Sequence, residues 1–196
     1  MLPALAAAYG GANGGGSVGH AELGVEVNID TEIRSHTLSV LVDNEAGVLA
    51  RVIGLFSGRG YNIESLTVAE VDPAKNLSRI TVLTSGTPMV IEQIKAQLGR
   101  LVPVHTVVDL TIEGPHVARE LVLIKVAGSG EPRVESLRIA DIFRARVVDS
   151  TNDSFIFELT GSSDKLNAFI DLMKPLGLVE VSRTGIVAIN RGRGAT

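Results

Sequence analysis

From His36 onward the hydrophobic positions fall into two alternating rhythms. Leu38, Val40 and Val42 alternate with Thr37, Ser39 and Leu41, the two-residue period of a strand. The turn Asn44-Glu-Ala-Gly47 follows, and then Val48, Leu49, Val52, Ile53, Leu55 and Phe56 recur at helical spacing. Gly58 and Gly60 suit the end of that helix, where a left-handed residue is often required. A strand is predicted over about 62–71, a turn at Asp72-Pro-Ala-Lys-Asn76, and a partner strand over 77–84. Val90, Ile91, Ile94 and Leu98 share one face of a second helix over 88–98, with Pro88 in the first turn. A last strand over 102–112 completes the order βαββαβ.

After Gly114-Pro115 the same order returns. Strands are predicted over 119–127, 146–150, 155–159 and 178–189, and helices over 132–145 and 163–173. The expected fold class is α+β: two tandem ferredoxin-like βαββαβ units, each a four-stranded antiparallel sheet with both helices on one face. The predicted organisation is a flexible tail over 1–35, a first domain over 36–113 and a second over 118–191. The tail stands apart because Gly10, Gly11, Gly14, Gly15, Gly16 and Gly19 crowd one short stretch, where fixed backbone is entropically costly.

Composition narrows the function classes. Of the 196 residues 45% are hydrophobic but only 4% aromatic, with no Trp, so the cores must be aliphatic. A formal charge of -4 leaves no basic stripe for a phosphate backbone, which argues against nucleic acid. RNA-recognition modules share the βαββαβ order, but they stack bases on strand aromatics, and residues 38–42 and 79–83 carry none. The absence of Cys removes disulfides, thiolate catalysis and Cys-based zinc sites, and suits a cytoplasmic protein. The four His are scattered without metal-ligand spacing, and no run is apolar enough to span a bilayer, so neither a metal nor a membrane is expected. No nucleophile, base or oxyanion pattern converges, so no catalytic residue is assigned.

The remaining candidate chemistry lies at the start of the first helix. A helix N-terminus leaves unpaired N–H groups, and those of Gly47, Val48 and Leu49 would face a bound carboxylate. Gly47 lacks a Cβ and permits close approach, while Asn44 can accept from an ammonium and donate to a carboxylate. Spacing alone favours a plain structural role, Asn44 as helix cap and Gly47 as turn former. Asn62 is the second candidate, at the start of a strand that this topology places on a sheet edge, where another chain can pair. A second copy joined there would bring its Asn62 and Ile63 to the Asn44 turn. An Asn satisfying its own turn is the alternative.

The run from Asn44 to Val68 resembles the start of the ACT domain of acetolactate synthase (acetohydroxyacid synthase) small regulatory subunits. The likeness is tightest over Asn44-Glu-Ala-Gly47, Arg51-Val-Ile-Gly-Leu-Phe-Ser57 and Arg59-Gly-Tyr-Asn-Ile-Glu-Ser-Leu-Thr-Val68. It continues through Leu77-Ser-Arg79, Arg119-Glu-Leu121, Ile142-Phe-Arg144 and Arg183-Thr-Gly185. The resemblance implies an N-terminal ACT domain that forms a homodimer, followed by an ACT-like domain. It implies valine or another branched-chain amino acid at the dimer interface, on Asn44, Gly47 and Asn62, with Val48, Leu49 and Ile63 lining the pocket. It further implies a non-catalytic chain that activates a separate large subunit and makes it sensitive to valine. Thiamine diphosphate, Mg²⁺ and FAD would belong to that large subunit, with no cofactor in this chain. A free-standing amino-acid sensor built on the same tandem is the competing expectation.

Overall fold

A computed structural model describes residues 32–196, so most of the tail expected over 1–35 lies outside the described residues. The first unit comprises strand β1 (Arg34–Asp43), helix α1 (Val48–Ser57), β2 (Ser65–Asp72), β3 (Leu77–Gly86), α2 (Pro88–Leu98) and β4 (Val104–Asp109). Its four strands form an antiparallel sheet in the order β2-β3-β1-β4. The two-residue period sorts the faces: Leu38, Val40, Val42, Ile80 and Val82 point to one side and are buried. There they meet Val48, Val52, Leu55 and Phe56 of α1 and Ile91, Ile94 and Leu98 of α2, one aliphatic core around a single Phe. Fully burying such a side chain contributes about 1.5–3 kcal/mol. Thr87 caps α2, its side chain accepting from the Val90 amide, and Pro88 takes the first helical position.

The second unit repeats the order with β5 (His116–Ala127), α3 (Glu131–Phe143), β6 (Arg146–Ser150), β7 (Ser154–Gly161), α4 (Ser163–Met173), β8 (Leu178–Arg183) and β9 (Val187–Asn190). Val122, Ile124, Val126, Phe155, Phe157 and Leu159 pack beneath Ile139, Leu166, Phe169 and Met173. The sheet order is β6-β7-β5-β8, with β9 also paired to β5. The α+β class of two ferredoxin-like units stands.

The last strand needs correction. The single strand expected over 178–189 is two, β8 and β9, both antiparallel to β5. The break falls at Thr184-Gly185-Ile186, where Gly185 has φ +82, a left-handed conformation that only glycine adopts without strain. A Cβ at Gly185 would lie 2.5 Å from Ser65 Oγ, so the bulge is also a point of close approach to the first unit. Strand β1 begins at Arg34, inside the tail expected over 1–35.

The second unit leans on the first through this region. The Ile186 amide donates to Ser65 Oγ at 3.0 Å, and Thr67 Oγ1 donates to the Thr184 carbonyl at 3.2 Å. Leu110, Ile186 and Ala188 form a small apolar cluster with Leu83, Val108 and Ala118 between the units. The chain's exit from the first sheet is pinned as well. Buried Asp109 accepts from His36 Nδ1 at 2.7 Å and from the Thr111 amide at 3.0 Å, while the Leu110 amide donates to the Thr37 carbonyl.

Candidate functional site

The start of α1 is built by a hairpin turn beside it. Asn76 adopts φ 55 and ends the turn between β2 and β3. Its carbonyl accepts from the Asn44 amide at 2.7 Å, and its Nδ2 donates to the Asn44 carbonyl at 3.1 Å. Asn44 is thereby held by its backbone, and its Nδ2 donates to Glu70 Oε1 at 3.1 Å. It does not cap the helix: the N-cap is Gly47, at φ 87, with no side-chain cap bond. The plain reading of Asn44 as helix cap therefore fails, because its amide group is turned to β2.

The first intrahelical bond runs from the Arg51 amide to the Gly47 carbonyl, and the Val48 amide makes a long 3.4 Å contact with the Glu45 carbonyl. Among the described residues, the amides of Gly47, Leu49 and Ala50 find no acceptor within the chain. Those three residues are exposed, so a solvent-facing mouth of unspent donors stands at the positive end of a helix dipole. A Cβ at Gly47 would meet nothing within 4 Å, which leaves open space above that residue. Carboxylates flank it: Glu45, within 3.5 Å of Arg51, and Glu70 beside Asn44.

The six expected site residues divide. Asn44, Gly47, Val48 and Leu49 share this mouth, but the Val48 side chain is buried in the core, so only its backbone is available there. Leu49 stays partly exposed. Asn62 and Ile63 lie elsewhere. They precede β2, which begins at Ser65 rather than near residue 62, and the Asn62 carbonyl accepts from Thr84 Oγ1 at 2.6 Å. Asn62 is exposed, while Ile63 packs against the core. Ser65 pairs with Leu83 and Glu70 with Ser78, so β2 separates the two groups by roughly 20 Å. One chain does not bring them together. Glu70 was not anticipated from sequence. The signal was the hairpin register, which returns β2 past Asn44 near the Asp72–Asn76 turn.

The described residues form two βαββαβ units, the first offering an exposed helix mouth and a β2 edge that no described strand pairs, the architecture of an ACT-type module in tandem. Comparison with known proteins narrows the class. Residues 38–106 match a family model described as the AHAS small subunit-like ACT domain, and residues 119–192 match one described as the small subunit of acetolactate synthase. The acetolactate synthase small subunit of Aquifex aeolicus is 50% identical over 161 residues, 82% of this chain and 83% of that one. The isozyme 3 small subunit of Escherichia coli is 49% identical over 156 residues, 79% of this chain and 94% of its own. The crystal structure of the small subunit from Thermotoga maritima superposes with a TM-score of 0.75 at 39% identity, covering 82% of this chain and 99% of that one. The chain belongs to the acetolactate synthase small-subunit family.

Proposed function

We propose that this chain is the non-catalytic regulatory subunit of a cytoplasmic acetolactate synthase, activating a thiamine diphosphate-dependent large subunit and lowering its activity when valine binds. The observation that carries the reading is the set of unspent amides at Gly47, Leu49 and Ala50 opening on solvent. They suit the carboxylate of an α-amino acid. Asn44 Oδ1 and the Glu70 carboxylate, joined to each other through Asn44 Nδ2, are acceptors of the kind an ammonium would use.

Edge strand β2 supports the second half of the reading. If two copies paired antiparallel along β2, the Ser65 end of one would meet the Asp72 end of the other. Asn62 of the second copy would then approach Asn44 and Glu70 of the first, closing a pocket that neither copy completes alone. Ligand bound across such a seam favours one arrangement of the pair, and that preference is the coupling passed to the large subunit. A valine-sized ligand has about eight heavy atoms, and at roughly 0.5–0.8 kcal/mol each it gains about 4–6 kcal/mol. The corresponding Kd is on the order of tens of micromolar to a millimolar.

Calorimetric titration with valine should give saturable heat that Asn44→Ala, Asn62→Ala or Gly47→Asp sharply weakens. Activity of the reconstituted pair should rise on adding the chain and fall on adding valine. Equal inhibition of the large subunit alone would refute the regulatory part. Valine binding without any association with the large subunit would assign a free-standing sensor instead.

A further inference from the structure

Beside the Gly185 bulge, the groove where the two units meet opens into a cleft of about 530 Å³, within the range for small-molecule sites. Ser65 and Gly185 line it where the units touch, and one wall comes from each unit. On the first unit's wall stands Glu64, exposed, its Oε1 oriented by a bond from Ser85 Oγ. Among the described residues no cation pairs with it. On the second unit's wall the Arg183 guanidinium is locked in place. Its Nε donates to Oε2 of buried Glu120 at 3.0 Å, its Nη2 donates to the same oxygen, and its Nη1 donates to Asn167 Oδ1 at 2.8 Å. The other Glu120 oxygen accepts from Ser163 Oγ at 2.7 Å. A guanidinium carries five N–H groups, so two of those on Arg183 are left over. The Nδ2 of exposed Asn167 likewise finds no acceptor among the described residues. The walls are therefore unlike: a carboxylate without a counter-charge faces a set of unspent donors.

We propose that this cleft binds a small zwitterion with its charges at opposite ends, a straight-chain amino acid whose amine is remote from its carboxylate. The ammonium sits on Glu64 and the carboxylate on the spare N–H groups of Arg183 and Asn167, with the methylenes on the apolar lining of Leu66 and Leu83. Glu120 already neutralises Arg183, so the guanidinium offers oriented donors rather than net charge. A lone carboxylate would thus meet the uncompensated charge of Glu64 across the cleft, and a lone amine would leave the donor wall unmatched. An α-amino acid carries both charges on one carbon and satisfies one wall only. A ligand so placed ties the two units together across the bulge. The site shares no residue with the mouth of α1 and does not depend on what binds there.

The test is calorimetric titration of the full chain with 4-aminobutyrate, set against the four-carbon controls butyrate, butan-1-amine and 2-aminobutyrate. The first should bind with a Kd on the order of a millimolar or tighter, at least about tenfold better than any control. Glu64→Gln keeps an acceptor for Ser85 but removes the charge, and should weaken binding about tenfold and erase the advantage over butyrate. Arg183→Lys keeps the charge beside Glu120 but loses the fork, and should weaken binding by a similar factor. Thermal melts establish that each variant is folded, and Glu64, exposed on the surface, keeps the test open if Arg183→Lys is not. A control that binds as well as 4-aminobutyrate would overturn the proposal, as would no saturable heat or indifference to Glu64→Gln. Loss of binding in Gly47→Asp with Glu64→Gln unaffected would place the ligand at the helix mouth and also overturn it. Failure of the valine titration would sink the regulatory reading without touching this one.

Discussion

Gly47 and Gly54 make a controlled pair. Both belong to the α1 region, both are exposed, and a Cβ added to either would touch nothing within 4 Å. Sterics therefore cancel, and only backbone conformation distinguishes them. Gly47 sits at φ +87, where an L side chain costs about 1–2 kcal/mol. Gly54 lies inside the helix, where Ala is preferred by about 0.5–1 kcal/mol. Gly47→Ala should therefore destabilise and Gly54→Ala stabilise, a separation of roughly 1.5–3 kcal/mol. At about 4–8 °C per kcal/mol for a unit of this size, scanning calorimetry should resolve the two Tm values by roughly 10 °C. Gly47→Asn should fall between wild type and Gly47→Ala, because Asn tolerates the left-handed region. If Gly47→Ala proves neutral while Gly54→Ala stabilises, the turn does not hold its left-handed backbone, and the open helix mouth drawn from it is wrong.

Three other outcomes follow from single contacts. Gly185→Ala adds both strain and an approach to Ser65 Oγ, so amide exchange should rise around residues 184–188 while the two cores stay protected. Unchanged exchange there would mean that the units do not meet at this bulge. Arg183→Met strips buried Glu120 of a charged partner, leaving only the bond from Ser163 Oγ at 2.7 Å. Urea unfolding should show a loss of about 1–3 kcal/mol, and Glu120→Gln combined with Arg183→Met should recover part of it. The hydrogen bond and charge of Lys125 hold the Glu180 carboxyl below its ordinary pKa. That pair stabilises the fold above the ordinary carboxylate range and stops doing so as pH falls through the depressed value. In an NMR titration Lys125→Met should return Glu180 toward normal, and no movement would refute the pairing.

How much of this was legible beforehand depended on the range of each interaction. Helices α2 and α4 appear with the ends expected of them, because Pro88, Thr87 and Ser162 are local signals that the backbone obeys directly. The break at Thr184–Ile186 was hidden because the alternation carries through it. Only the isolated Gly185 marked it, and a glycine in a strand does not say what approaches it. Asn44 looked like a cap for the same reason: its neighbours in sequence suit a helix start, whereas its partners Glu70 and Asn76 arrive from β2 and the turn after it. The burial of the Val48 side chain was implicit in its place on the apolar face of α1.

Among the described residues strand β2 is gripped along only one of its flanks, by β3, yet Ser65 and Thr67 on its surface are tethered to Ile186 and Thr184. Those two bonds meet at a bulge packed so closely against Ser65 that no room is left for a Cβ at Gly185. The open rim of the first sheet is thus joined, through two short tethers, to the ends of the two strands that flank the break beside β5.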